Sequence, residues 1–440
     1  MAWGISYQIE EQNVGCVRTP EQRLADRKGV TAQAAYFASP GAEAYQTALL
    51  REIDQRAAEQ GPHTCTVSRG GRSVLAVPDE LLIRTVQLDE STRSLLTELD
   101  FTAHHTELDG RVTVLRSTVT PGLSGPERAA RLDEVLLILQ SRGVPASLNH
   151  LTPLGPWAKG QGGPENTTGV VAPAPAPDPD AGYPTVAVID TGVNTDGRTD
   201  GWLDGLVGTD NRDPIDVLGG DGKLDFAAGH GTFATGVLLQ VAPGVPVRVY
   251  RAMDSDGIGS EVDVAKAILR AVDEGAGVIS LSLGTRTLDD QPPVAIDVAL
   301  ELLPPEVVVV AAAGNYGDER PVWPAAFSRV VSVAALTATG QGAAWSTRGF
   351  WVDFSVVGEG VVGPYVKGEE SSFIDPEPDA FEENAWAVWS GTSFAAPQLA
   401  GLVARLTPQQ GSPQLALAEI ATQAVRLPDY GRALKILPGT

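Results

Sequence analysis

Residues 185–190 are Thr-Val-Ala-Val-Ile-Asp, and this stretch gives the clearest local signal of the fold. A short apolar run rich in β-branched residues predicts a buried strand, and parallel sheets are built from strands of this kind. In open parallel sheets, ligand-handling residues lie where strands end. We therefore expect Asp190 to be a rigidly held functional carboxylate.

Apolar runs and helical patterns alternate after this first strand. Strands are predicted at 245–250, 278–283, 307–312 and 330–335, and helices at 262–272 and 294–303. Alternation of strand and helix is typical of a parallel sheet covered by helices on both faces, with right-handed crossovers. The sequence thus predicts an α/β fold with a mostly parallel sheet.

Two further segments add a base and a hydroxyl, namely Gly229-His230-Gly-Thr and Ser390-Gly-Thr-Ser393-Phe-Ala-Ala-Pro397. The flanking glycines let the backbone turn tightly beside His230. Ser393 stands at the predicted start of a helix, where free N–H groups can stabilise an oxyanion. Of the five histidines, His230 is the only one beyond residue 150.

An acid, a base and a hydroxyl fit nucleophilic catalysis. A serine hydroxyl is a poor nucleophile at neutral pH, so a histidine must take its proton and a carboxylate must orient the imidazole. Taken singly, Asp190 could be a turn residue at a strand end and Ser393 a helix cap. The Gly-x-Ser-x-Gly elbow of another hydrolase fold does not describe Ser393.

Together, in the order Asp, His, Ser and with these flanks, the segments resemble the subtilase (subtilisin-like serine protease) family. The resemblance implies a serine endopeptidase that works through an acyl-enzyme. It also implies that Asn315, in Ala311-Ala-Ala-Gly-Asn315, and the backbone N–H of Ser393 form the oxyanion hole. One departure is Phe233, which stands where the family usually has a second histidine.

The same resemblance implies a cleft for an extended peptide that binds as an added β-strand. Two segments would flank the peptide backbone, namely Ser282, Leu283 and Gly284 on one side and Gly257, Ile258 and Gly259 on the other. A third segment would line the pocket for the residue before the scissile bond, and it consists of Ala311, Ala312, Ala313 and Gly314. Val322 would shorten the pocket at its base, which predicts a preference for small or medium apolar residues.

The domain boundaries follow a shift in composition. Residues 159–183 are rich in Gly, Pro and Ala and predict an extended linker, with a peptidase domain at 184–440. Residues 1–158 predict a small α+β domain, with strands at 73–77 and 111–115 and a helix at 127–142. Many subtilases carry an inhibitory propeptide at this place, but a retained docking or regulatory domain is equally open.

Composition limits the partners. The net charge of −23 excludes general binding to nucleic acid or anionic membranes, and no apolar stretch reaches the length of a membrane span. The first residues lack a signal-peptide pattern, and Cys16 and Cys65 are too few for a disulfide framework, although one bridge between them is open. We therefore expect a cytoplasmic protein with peptide or protein substrates.

No cofactor is expected, with structural calcium left open. Asp254-Ser-Asp256-Gly257 resembles the start of a calcium loop, but Ala265 stands where an EF-hand has its glutamate, so we interpret the segment as a turn. The acidic stretch 358–384 predicts a solvated loop. The alternative function from another class is a catalytically silent or autoinhibited subtilase fold that binds peptides.

Overall fold

The computed structural model describes residues 16–17, 21, 24, 64–119, 123–152, 163–167, 170–171, 179–204, 206, 211–217, 221–372 and 378–437. The strands before residue 172 are β1 (Cys16–Val17), β2 (Cys65–Arg69), β3 (Arg72–Arg84), β4 (Phe101–Glu107), β5 (Val112–Ser117), β6 (Ala146–His150), β7 (Glu165–Thr167) and β8 (Val170–Val171). Two helices accompany them, α1 (Glu90–Glu98) and α2 (Gly125–Ser141).

The later strands are β9 (Thr185–Asp190), β10 (Val247–Arg251), β11 (Ala276–Leu281), β12 (Val308–Ala312), β13 (Val331–Leu336), β14 (Phe354–Val357), β15 (Val361–Pro364), β16 (Gly368–Glu369), β17 (Ala380–Phe381), β18 (Trp386–Trp389), β19 (Val425–Leu427) and β20 (Gly431–Leu434). The later helices are α3 (His230–Val241), α4 (Glu261–Asp273), α5 (Val294–Leu302), α6 (Thr392–Gln410) and α7 (Pro413–Gln423).

The N-terminal unit is an antiparallel sheet in the order β2-β3-β5-β4, with β6 also paired to β3. Helix α2 begins with a capping box in which Ser124 and Glu127 bond each other's backbone and side chain. Its apolar residues at 132, 135, 136 and 139 are buried, as expected for one face of a helix at 3.6 residues per turn. The predicted α+β character is confirmed.

The part of the chain after residue 183 is built around an eight-stranded sheet in the order β10-β9-β11-β12-β13-β14-β20-β19. All its neighbouring strands are parallel except β19 and β20. Along β9, Val186 and Val188 join one core cluster, whereas Ala187 and Ile189 join another. This alternation places α3, α6 and α7 over one face and α4 and α5 over the other, which confirms the predicted architecture.

The predicted linker contains paired strands. β7 pairs antiparallel with β18, the strand just before the Ser390–Pro397 segment, and β8 pairs with β1. The acidic stretch 358–384 is likewise not one solvated loop, because the buried strand β15 and the pair β16–β17 lie within it. The acidic residues of this stretch hid the short strands in the sequence, because the remaining strand residues are mostly apolar.

The N-terminal unit packs against helices α4 and α5. Leu82, Val112 and Val114 share a buried cluster with both helices. Arg84 bonds Asp297 at 2.5 Å and Glu301 at 2.7 Å, and both carboxylates belong to α5. An apolar contact with charged pairs around it therefore joins the two parts.

Cys65 is buried, and the disulfide that the sequence left open would involve Cys16, whose side chain lies outside the described part of the structure. Within the described part of the chain, none of the helices combines the length and the apolar character needed to cross a lipid bilayer.

Candidate active site

Asp190 and His230 meet at the carboxyl end of the central sheet. Asp190 is the last residue of β9 and His230 the first of α3, and neither side chain is exposed. His230 Nδ1 lies 2.7 Å from Asp190 Oδ1, where the ring N–H donates to the carboxylate. Gly229 precedes the helix with φ of 71°, a conformation that favours glycine. The carboxylate thus fixes the tautomer and orientation of the imidazole.

Aromatic rings surround this imidazole. The ring centroids of Trp389 and Phe394 lie 5.5 and 5.3 Å from that of His230. Phe233, one turn further along α3, packs against Phe394 at 4.6 Å. These contacts keep water from the imidazole ring. Phe233, which stands where the family usually has a second histidine, supports this aromatic packing through its contact with Phe394.

Ser393 is the second residue of α6 and is buried, with 4% of its surface exposed. Its Oγ donates to the carbonyl of Ser282 at 3.2 Å, and Ser282 Oγ donates back to the carbonyl of Ser393 at 2.8 Å. The next residue, Phe394, contacts the His230 ring. The hydroxyl and the imidazole are therefore carried to the same end of the sheet.

Asn315 follows β12 and faces the start of the same helix. Its Oδ1 accepts from the backbone N–H of Thr392 at 2.8 Å and from the Thr392 hydroxyl at 2.7 Å. Because the amide oxygen is committed to Thr392, the amide NH₂ remains as a donor beside Ser393. This arrangement suits an oxyanion hole.

Val322 lies between the two predicted walls of the substrate pocket and is 1% exposed. A Cβ on Gly284 would come within 2.7 Å of one Val322 methyl, and a Cβ on Gly314 within 3.2 Å of the other. The side chains of Ala311, Ala312 and Ala313 instead pack into three separate clusters of the core. The glycines and the valine therefore shape the space at this point.

The Gly257–Gly259 segment is not a regular strand, but the N-terminal unit pairs with it. The backbone N–H of Thr152 donates to the carbonyl of Gly259 at 2.7 Å, and Leu151 forms an antiparallel bridge with Ser260. The preceding turn is closed by Gly257 N–H donating to Asp254 O and by Ile258 N–H donating to Asp256 Oδ1, both at 2.9 Å. Residues 151–152 thus lie where the sequence placed one edge of the substrate strand.

Sequence reasoning missed Asp213, a fully buried carboxylate near Asp190. Its oxygens accept from Thr191, Gly229 and Ile215. Burial raises the pKa of Asp213 to about 6, and the nearby charge of Asp190 acts in the same direction. Its loop has no periodicity and its partners are distant in sequence, so no sequence signal marked it.

The sequence profile of the subtilase family matches residues 183–425, more than half of the chain. The chain belongs to the subtilase family. The match contains every residue predicted for the site, from Asp190 to Ser393.

Two curated subtilases show the extent of the similarity. Thermophilic serine proteinase of Bacillus sp. (strain AK1) is 36% identical over 235 residues, which cover 51% of this chain and 52% of the relative. Thermitase of Thermoactinomyces vulgaris is 29% identical over 262 residues, or 56% of this chain and 82% of the relative. The chain thus spans about half the length of the first relative and most of the second.

Among solved structures, fervidolysin from Fervidobacterium pennivorans, a keratinolytic enzyme related to subtilisin, matches with a TM-score of 0.54 at 18% identity. The match covers 85% of this chain and 62% of the fervidolysin chain. At that identity the likeness supports the subtilase fold alone. Over the described residues of our protein, His, Cys, Asp and Glu side chains form no group of three suited to a metal ion.

Proposed function

We propose that this chain is a serine endopeptidase that cleaves extended peptides through Asp190, His230 and Ser393. The 2.7 Å contact between the fully buried imidazole and carboxylate carries the proposal. A buried carboxylate hydrogen-bonded to the histidine stabilises the imidazolium that forms when the histidine takes a proton. Membership of the subtilase family supports the same reaction.

In this mechanism His230 takes the hydroxyl proton of Ser393 as the oxygen attacks the peptide carbonyl. His230 then gives the proton to the leaving amine, and water hydrolyses the acyl-enzyme by the same steps in reverse. The amide of Asn315 and the backbone N–H of Ser393 would donate to the tetrahedral oxyanion. One such donor is worth about 3 kcal/mol of transition-state stabilisation, a magnitude measured in subtilisin.

The side chain before the scissile bond should be small or of medium size. Val322 supports this because its methyl groups fill the space between Gly284 and Gly314. In a peptide library, we expect cleavage after Ala or Val and poor cleavage after Phe or Tyr. Val322→Gly should extend cleavage to the aromatic residues, and efficient cleavage after Phe by the wild-type chain would refute the assignment.

The N-terminal unit favours an autoinhibited form of the same enzyme. Thr152 bonds Gly259 as a substrate strand would, so residues 151–152 compete with peptides for that edge. We propose that residues 1–158 dock on the peptidase domain and restrain it until they leave or are displaced. A catalytically silent fold is the other outcome, and the chemistry of Asp190 and His230 argues against it.

Peptide hydrolysis and intact-mass spectrometry of the purified chain test both points. The proposal predicts hydrolysis that is lost in Ser393→Ala. Cleavage within 159–183 that disappears in Ser393→Ala would mean self-processing, whereas an uncut but active chain would mean a retained domain. A chain that stays inactive even after residues 1–158 are removed would favour the silent fold.

We also propose a cytoplasmic location without a required metal ion. The sequence has only two cysteines, which fits a reducing compartment. Fractionation of the source cells tests the location, and activity after dialysis against a chelator tests the metal.

A further inference from the structure

A short loop, residues 211–217, carries a carboxylate with no role in the proposed reaction. Asp213 is fully buried, and its Oδ2 accepts from the Thr191 hydroxyl and from the Gly229 backbone N–H, each at 2.9 Å. Its Oδ1 accepts from the Ile215 N–H at 3.0 Å. Every donor is therefore close along the chain either to the loop itself or to the Asp190–His230 pair.

The two groups that donate to Asp213 Oδ2 belong to residues adjacent in sequence to Asp190 and His230. Thr191 follows Asp190, and its N–H donates to Asp190 Oδ1 at 2.7 Å. Gly229 precedes His230 and forms the N-cap of α3. The Thr191 hydroxyl also accepts from the Gly231 N–H at 3.1 Å, so one carboxylate links both sides of the histidine to the end of β9.

We propose that Asp213 is a positioning residue that holds Asp190 and His230 in their reactive geometry. This inference rests on the proposed peptidase function. Asp213 acts through its hydrogen bonds to Thr191 and Gly229 rather than by touching the imidazole or the substrate. A shift of the pair by a fraction of an ångström is expected to slow the reaction, because proton transfer depends steeply on geometry.

The charge of Asp213 adds a second effect. The titratable groups that face it are Asp190 on β9 and Tyr365 after β15, whose hydroxyl donates to the Ala228 carbonyl at 2.7 Å and whose ring lies against Gly229. His230 is connected to it through the Gly229 backbone. Asp213 Oδ2 accepts from the N–H of Gly229, the residue before His230, so an ionised Asp213 would favour the imidazolium formed during catalysis.

Protonation of Asp213 should weaken this support. Burial raises its pKa to about 6, so the carboxylate is ionised at neutral pH and takes a proton as the pH falls through that value. Activity should therefore fall on the acid side as Asp213 takes up this proton. A variant without the Asp213 carboxylate should lack this one-proton contribution to the acid limb.

The test compares Asp213→Asn with Asp353→Asn. Asp353 is a matched control because it also accepts from a backbone N–H and a hydroxyl, both of Ser332 at 3.0 Å, but belongs to the β13–β14 region away from the site. We expect Asp213→Asn to lower kcat about ten- to a hundredfold at neutral pH with KM little changed. The acid limb of kcat/KM should lose one proton, and Asp353→Asn should retain the wild-type profile.

Thr191 supplies a second pair of variants in case Asp213→Asn does not fold. Thr191→Val removes the hydroxyl but keeps the shape, so kcat should fall, whereas Thr191→Ser keeps the hydroxyl and should restore most of it. The proposal would be overturned if a folded Asp213→Asn kept the wild-type kcat and the wild-type acid limb. It would also be overturned if Thr191→Val and Thr191→Ser were equally active.

Proton NMR separates this inference from the peptidase proposal. The proton between His230 Nδ1 and Asp190 should give a far-downfield resonance that does not require turnover. If the protein hydrolyses no peptide, the peptidase proposal fails, but the resonance should still move in Asp213→Asn and stay in place in Asp353→Asn. An unmoved resonance in both variants would contradict the role of Asp213.

Discussion

At the scale of single residues, Asp190 and His230 depend on each other because both are buried. An ionised carboxylate without a partner is costly in a protein interior, and the imidazole N–H at 2.7 Å offsets part of that cost. In the proposed mechanism Ser393 depends on this pair, because its own hydroxyl does not ionise at neutral pH. The sequence predicted these residues because each has a distinctive flank, such as the apolar run before Asp190 and the glycines around His230.

Substitutions in the proposed triad should act as a unit. Ser393→Ala and His230→Ala should each lower kcat about 10⁶-fold and Asp190→Ala about 10⁴-fold, and double variants should lose little more. These magnitudes are those of a series measured in subtilisin. Steady-state hydrolysis of a chromogenic peptide measures them, and losses under about tenfold would contradict the assignment of roles.

Asp213 should also affect stability, with a sign opposite to its effect on activity. Because the pKa of Asp213 is raised from 3.8 to about 6, the fold favours the protonated form. The stabilisation is fully present below about pH 4 and is lost as the pH rises through 6, which amounts to about 3 kcal/mol by linkage. The difference in Tm between the wild type and Asp213→Asn should therefore shift in favour of the wild type as the pH falls from 7 towards 4, and a difference that does not change with pH would contradict the raised pKa.

At the scale of elements, the helices and central strands were predictable because each buries a continuous apolar stripe or run. The predicted helix at 262–272 is α4, Glu261–Asp273, and the predicted strand at 307–312 is β12, Val308–Ala312. The strand at 73–77 was predicted too short, since β3 continues to Arg84 past an irregularity near Asp79, whose φ is 65°. The role of Asp213 could not be predicted from the sequence, because it depends on loop contacts that leave no local sequence pattern.

Helix α3 approaches β15 so closely that one position requires glycine. A Cβ on Gly236 would overlap the ring of Pro364, whereas a Cβ on Gly125, at the first turn of α2, would meet nothing within 4 Å. Gly236→Ala should force the helix that carries His230 away from β15 and lower both Tm and activity. Gly125→Ala is the control and should leave Tm unchanged or raise it, because alanine is the better helix former. Equal Tm values for the two variants would show that α3 has room to move.

At the scale of the whole molecule, the N-terminal unit and the peptidase part meet across α4 and α5. The apolar contact of Leu82, Val112 and Val114 provides most of the attraction, since exposed ion pairs contribute about 1 kcal/mol or less. The charged pairs set the orientation, because Arg84 reaches two carboxylates of α5. The orientation matters because it brings residues 151–152 to Gly259.

Reversing the charge at this interface should loosen the docked unit. Arg84→Glu would repel Asp297 and Glu301 and should raise the rate of peptide hydrolysis by the full chain. Arg93→Glu is the matched control, because Arg93 is exposed on α1 of the same unit. If both variants hydrolyse peptides at the wild-type rate, docking of the N-terminal unit does not limit the enzyme.

A fluorophosphonate probe tests most directly whether His230 activates the hydroxyl of Ser393. We expect one covalent adduct on Ser393, found by peptide mapping of the labelled chain, with labelling abolished in Ser393→Ala and strongly slowed in His230→Ala. Absence of the adduct in a chain freed of residues 1–158, or an adduct on another serine, would contradict this activation.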